Sequence, residues 1–374
     1  MVHSKREYSL DFLRGAAALL VLFSHTTIAG LYGVEPIWSE LKWTPLKILW
    51  SGHQAVILFF VLSGFALTKM WESIGSRRYD AYIAARVVRL YPPYIASIAV
   101  ALVVYWVMRH LSPWAAGWMN VPNPILGENV SLIDHLLMIG NFNPSAVNPP
   151  IWSIIHEMRI SLIFPIIYFV VRRFGVGALV GFLCVSMLVS WTISGVIPLS
   201  ALQAELLISL HYVTFFAFGS FIALNQDSVC ELASKVRGRI RVGVWVVALL
   251  LYAYPFDNPW SLSQRMIGDI GTGIGSFMLV AMILTSAEGS FLSRYRFLGG
   301  ISYSMYLNHI LALNICLILL YKSFGSVAVW VTAIPFAIIL SWGMCALVEK
   351  PTIAMSRQVR RIILDRRKRL AEAA

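Results

Sequence analysis

The sequence predicts an all-α integral membrane protein: a polytopic bundle of about ten transmembrane helices with both termini cytoplasmic. Three observations carry this. Of the 374 residues, 58% are hydrophobic and only 13% charged, whereas a soluble domain carries about 25% charged residues. Apolar segments recur at 8–31, 54–71, 90–108, 151–171, 175–197, 205–224, 242–255, 265–287, 301–321 and 327–348. Most approach the length of about 20 residues that a helix needs to cross hydrocarbon. With the N-terminus inside, 23 Lys and Arg fall on inner segments and 5 on outer ones, the asymmetry that sets orientation.

The net charge of +12 is parcelled among the inner segments, so it reads as membrane orientation and not as a nucleic-acid footprint. Cys184, Cys230, Cys316 and Cys345 form no CxxC pair. They read as small packing residues, with no disulfide framework and no metal site. One membrane domain over 1–350 is expected, followed by a basic tail over 351–374.

The first segment follows Lys5 and Arg6 and carries Arg14 and His25 within its span. Its length and charges argue that it is retained and not cleaved as a signal sequence. Arg14 and His25 are eleven residues apart, or three turns plus about 20°, so both project from one face about 16 Å apart. Ionisable groups in a membrane line a bundle interior or a wet cavity by default. Two plainer roles stay open: Arg14 can snorkel to the headgroups, and His25 can hydrogen-bond a neighbouring helix.

Arg86 and Arg89 stand at the inner entry to the third segment. At i and i+3 they share one face and can clamp a phosphate, or simply anchor the inner side. The longest outer stretches are 32–53 and 109–150; the second contains a short apolar piece, Leu132 to Ile139, suited to an interfacial or re-entrant position. Trp38, Trp43, Trp50, Trp114, Trp118, Trp152 and Trp260 cluster toward the outer boundary. They form an aromatic belt or, in part, a platform for stacking on sugar rings.

In PPIWSIIHEMRISLIFP the helix runs inward, placing Glu157 about 9 Å below its outer end. His25 stands about 25 Å above the inner end of its own helix. In a core about 30 Å thick these depths nearly coincide, so a Glu157–His25 dyad is plausible. An ion pair of Arg159 with Glu157 is the structural alternative. GDIGTGIGSF at 268–277 lacks the Lys-Ser/Thr of a phosphate loop. Gly271 and Gly275 therefore point to close helix packing. LGGISYSMYLNHI brings Ser302, Tyr303, Asn308 and His309 into the ninth segment, as a wet wall or as interhelical hydrogen bonds. The tail mixes Ile362, Ile363 and Leu364 with six basic residues over 357–369 other than Arg357. It reads as an amphipathic segment on anionic lipid.

These motifs, in this order, resemble the membrane-bound acyltransferase family 3. LDFLRGAAALLVLFSH is similar to the family's first-helix motif, and GHQAVILFFVLSGFAL to its second-helix block. RVVR at 86–89 matches RxxR, and WSIIHE with Pro165 resembles WSLxxE…P. ISYSMYLNH resembles SYxxYLxH, and Glu349-Lys350-Pro351 the closing ExP. One departure is that Ile160 and Ser161 stand where many members carry Phe-Tyr, so no tyrosine role transfers. The chain ends soon after the tenth segment, without the hydrolase-like domain of some members. Final delivery is therefore expected to fall to the membrane part or to a partner.

The resemblance implies an acyl-CoA donor, usually acetyl-CoA, on the cytoplasmic side of a bacterial inner membrane. It implies a sugar hydroxyl of a surface polysaccharide or lipid-linked glycan as acceptor. Arg86, Arg89 and Arg14 are expected to hold the donor. His25 is expected as base or transient acyl carrier, oriented by Glu157, and acceptor contacts are expected at Trp152, Arg159 and His309. The competing class is a lipid-linked glycan transporter or flippase. No internal repeat or paired broken helices favour it, and a polymerase would need a larger outer catalytic loop.

Overall fold

The computed structural model describes residues 2–30, 43–75, 78–111, 132–138, 147–196, 198–254, 261–285 and 295–372. Trp38, Trp114, Trp118 and Trp260 lie outside the described residues. Among the described residues the chain is helical and has no strand. The helices are α1 (Val2–Gly30), α2 (Gly52–Ile74), α3 (Tyr79–Leu111), α4 (Leu132–Leu137), α5 (Ile151–Phe174) and α6 (Val176–Trp191). They continue as α7 (Ala201–Leu224), α8 (Gln226–Lys235), α9 (Gly238–Ala253), α10 (Leu262–Ile283), α11 (Arg296–Met344) and α12 (Lys350–Glu372).

Seven helices among the described residues are long and apolar enough to cross a membrane: α2, Tyr79–Met108, α5, Val176–Gly195, α7, α10 and Phe297–Arg366. The ten expected segments and these seven part at three places. Helix α1, which carries Asp11, Arg14 and His25, is not among the seven. Helix α9 has only 16 residues. The segments expected at 301–321 and 327–348 fall within one of the seven, Phe297–Arg366, yet stand as two helices that break at Gly325, whose φ of 74° and ψ of −177° are non-helical. Only glycine adopts that region without strain.

The chain folds as two compact units. The first comprises Met1–Ala17, His53–Arg77 and His156–Gly299. Its tightest crossing joins α2 to α7. A Cβ on Gly64 would strike the carbonyl of Phe216, and one on Gly219 that of Val61. With no side chain at either position the two backbones touch, which is how helices associate where no hydrophobic force separates protein from lipid. Thr68 Oγ1 then donates to Ser220 Oγ at 2.9 Å, and Lys69 Nζ to the Ala223 carbonyl at 2.9 Å. Gly275 seats α10 on α9: its missing Cβ would stand 2.6 Å from Tyr252 N and 2.7 Å from the Ala248 carbonyl. Of the close packing expected of Gly271 and Gly275, the contact at Gly275 is present, and Gly273 lies against the Phe215 ring.

The second unit comprises Ala18–Gly52, Arg78–Ile155 and Gly300–Ala374. Helix α3 runs through Pro92 and Pro93, which remove two backbone donors. On either side of them, Tyr91 donates to the Leu136 carbonyl and Tyr94 to that of His135 at 2.7 Å. The short apolar piece expected near the outer boundary is thus α4, tied to α3. At the far end of α11, the wide turn Cys345–Glu349 swings Glu349 inward. Its Oε2 accepts from the backbone N–H of Ser304 at 3.2 Å and from Ser304 Oγ at 2.6 Å. The tail forms α12 and packs along α3, with Ser356 Oγ donating to the Ala85 carbonyl at 2.6 Å. Thr352 and Ser356 lie on the buried face, while Arg357, Arg361, Arg366 and Arg369 are exposed. One face of the tail is therefore held by protein, leaving only the other for solvent or lipid.

Candidate functional site

His25 is half-buried on α1, and His309 is 1% exposed on α11. Both belong to the second unit. Their rings lie 5.0 Å apart between centroids, tilted by 51°. His309 Nδ1 faces the Tyr306 carbonyl at 2.8 Å and the Met305 carbonyl at 3.3 Å. His25 Nδ1 faces the Val21 carbonyl at 3.0 Å. A carbonyl only accepts, so both Nδ1 atoms carry the hydrogen. His309 Nε2 is then a bare acceptor, and it lies 3.3 Å from His25 Nδ1. The Nδ1–H of His25 is shared between Val21 and His309, and His25 is left with a lone pair on Nε2. In this way three backbone carbonyls and one neighbouring ring fix the tautomer of His25.

The helix around His309 is itself pinned. Asn148 Nδ2 donates to the Leu307 carbonyl at 2.9 Å, and Asn308 Nδ2 to that of Ser304 at 2.8 Å. Tyr306 and Ser153 hydroxyls meet at 2.7 Å. Trp152, beside Ser153 at the start of α5, is half-buried. His309 is expected at the acceptor; the structure places its ring against that of His25.

The remaining expected residues fall as follows. Glu157 lies in the first unit, half-buried, and accepts from Ser63 Oγ at 3.1 Å. Arg159, also in that unit and buried, reaches Glu205 Oε2 at 3.3 Å and Ser209 Oγ at 3.3 Å. Glu205 and Ser209 were not foreseen. Arg14 pairs within α1, its Nη1 3.1 Å from Asp11 Oδ1. Arg86 and Arg89 share α3 in the second unit, the first buried and the second exposed.

Residues 7–346 match the family described as "Acyltransferase domain", the type-3 acyltransferases. The chain belongs to this family. Among similar proteins, "Acyltransferase MdmB" of Streptomyces mycarofaciens is 28% identical over 167 residues, covering 44% of this chain and 40% of that protein. "Protein 2 in picA locus" of Rhizobium radiobacter is 29% identical over 122 residues, covering 31% of this chain and 50% of that one. The matches thus span half or less of these curated relatives. No solved structure matches. Of the family motifs, the closing Glu349 and the Ser304 of the SYxxYLxH block bond each other, and the first-helix histidine meets the last residue of that block.

Proposed function

We propose that this chain is a membrane O-acyltransferase that moves an acyl group, in the first instance acetyl, from cytoplasmic acyl-CoA to a sugar hydroxyl of a bacterial surface polysaccharide or lipid-linked glycan. The observation that carries the reading is the fixed tautomer of His25, a polarised imidazole in a chain of the acyltransferase family. Nε2 of His25 takes the proton of the attacking hydroxyl as the new C–O bond forms. The C–S bond of the thioester then breaks, and the leaving thiolate receives a proton. Arg86 and Arg89 hold the phosphates of the donor, and Arg14 its polar arm. Trp152, in the same unit as His25, meets the sugar. The topology that goes with this reading has ten spans and both termini in the cytoplasm, with α12 on the inner side of the bacterial inner membrane.

The test is direct. Purified protein is given acetyl-CoA and candidate glycans, and free thiol is followed together with a mass gain on the glycan. Stoichiometric release and gain support acyl transfer. A carrier of lipid-linked glycan would release no thiol, and that result removes the proposal.

A further inference from the structure

Helix α12, in the second unit, presents two unlike edges on either side of the face that α3 holds. Thr352 and Ser356 are four residues apart and buried, and Ser356 Oγ bonds the Ala85 carbonyl. Lys350, Arg357 and Arg361 are exposed. They follow at intervals of seven and four, so they project from one edge within about 40° of one another. Met355 and Ile362, seven apart, project from the other edge, with 52% and 56% of their surface accessible. The basic edge begins about 100° to one side of Ser356, at Arg357, and the apolar edge about 100° to the other, at Met355.

The chain leading into α12 shows what this face meets. Trp342 near the end of α11 is 65% exposed, and Leu347 in the wide turn 79%. In a membrane chain an exposed apolar surface of this kind faces lipid, and tryptophan beside Lys or Arg marks the level of the headgroups. Lys350 follows Leu347 by three residues, so the apolar surface runs directly into the basic edge. From Lys350 onward the chain carries eight basic residues against Asp365 and Glu372. Among the described residues neither Arg357 nor Arg361 has an ion-pair partner. At i and i+4 these two guanidinium groups are neighbours and can share one phosphate. Water alone would give Met355 and Ile362 no reason to stand exposed beside them.

We propose that the exposed face of α12 is a docking site for anionic phospholipid. Phosphate headgroups meet Lys350, Arg357 and Arg361, while Met355 and Ile362 enter the boundary of the acyl layer. The bond from Ser356 to Ala85 fixes which way the two edges point. The inference stands apart from the acyl-transfer reading, because lipid binding is measured with neither donor nor acceptor.

The experiment is native mass spectrometry of the full-length protein in detergent, titrated with phosphatidylglycerol or with phosphatidylcholine. Wild type should bind phosphatidylglycerol at least about tenfold more tightly. The double variant Arg357→Gln/Arg361→Gln should raise the apparent Kd for phosphatidylglycerol about thirtyfold, the loss expected of two basic residues at a lipid surface, and leave phosphatidylcholine unchanged. Arg357→Lys/Arg361→Lys keeps the charge and should stay within about threefold of wild type. Arg237→Gln/Arg239→Gln removes two exposed charges at the start of α9 in the first unit and should bind as wild type. An excess of glycerol 3-phosphate should not displace the lipid. Wild type with no preference for phosphatidylglycerol overturns the proposal, whatever the variants do. Equal losses in the α12 and α9 variants overturn it by showing an effect of net charge alone. Equal losses in the Gln and Lys variants overturn it by removing charge as the cause. Displacement by glycerol 3-phosphate overturns it in favour of a site for soluble phosphate.

Discussion

His309 Nε2 lies 3.3 Å from His25 Nδ1, inside a stretch of α11 whose own hydrogen bonds leave it no freedom to turn. If this contact orients the base, the two histidines should fail differently. His25→Ala should abolish transfer while thermal stability is kept, because the ring is half-buried and makes one backbone contact. His309→Leu keeps the volume but accepts nothing, and should lower kcat by about a hundredfold. His309→Gln, whose amide oxygen can still accept, should recover part of that loss. Equal activities of the Leu and Gln variants would show that the ring contact is only packing.

The crossing of α2 and α7 makes a prediction about folding alone. Gly64 and Gly219 meet opposing carbonyls with no room for a methyl group. Gly219→Ala should therefore cost about 1–3 kcal/mol, the range for forcing an extra methylene into a packed interior. Gly177→Ala, at a glycine on α6 with nothing within 4 Å, should be neutral or slightly stabilising. Thermal unfolding in one detergent, read for both variants, checks the contrast. A stable Gly219→Ala would mean that the helices part at little cost.

Much of this was legible in the chain because hydrocarbon leaves few options. Apolar runs had to be helices, and Gly275 packs α10 on α9 as its spacing implied. The histidine in the first helix stood out because ionisable residues are rare at such depth. Asp269 carried the same signal in GDIGTGIGSF, yet that stretch read as a glycine pattern and its single carboxylate passed unremarked. Partners were harder. Depth arithmetic places residues along a helix axis but says nothing about which helices are neighbours. Arg159 could be flagged as charged, while its contact with Glu205 depends on α5 meeting α7. The same limit hid the pairing of His309 with His25, residues 284 positions apart in sequence. The break between the last two expected segments falls at Gly325, within the gap between 301–321 and 327–348.

Glu349 closes a turn as well as a motif. It accepts two bonds from Ser304, both buried. Glu349→Ala would leave the Ser304 hydroxyl without that acceptor and should destabilise the protein by about 1–3 kcal/mol. Glu349→Gln keeps one acceptor oxygen and should lose less. Denaturant or thermal midpoints of the two variants decide the order, and an Ala variant as stable as wild type would show that the turn holds itself without the carboxylate.

Arg86 and Arg89 can be told apart by burial. Arg89 is exposed and Arg86 is buried beside the α3 face that carries α12. Removing Arg89 should therefore act chiefly on the donor. Arg89→Ala is expected to raise KM for acetyl-CoA about fivefold at low ionic strength, with kcat unchanged, as befits one solvent-exposed contact to a phosphate. The gap to wild type should narrow as salt is added, because exposed charges are screened beyond about 10 Å at 0.1 M. Arg86→Ala should show the same rise in KM together with a lower unfolding midpoint, since a buried guanidinium also supports its surroundings. A KM that neither substitution moves, measured at two salt concentrations, would take the donor phosphates away from this corner and leave the pair as inner-side anchors.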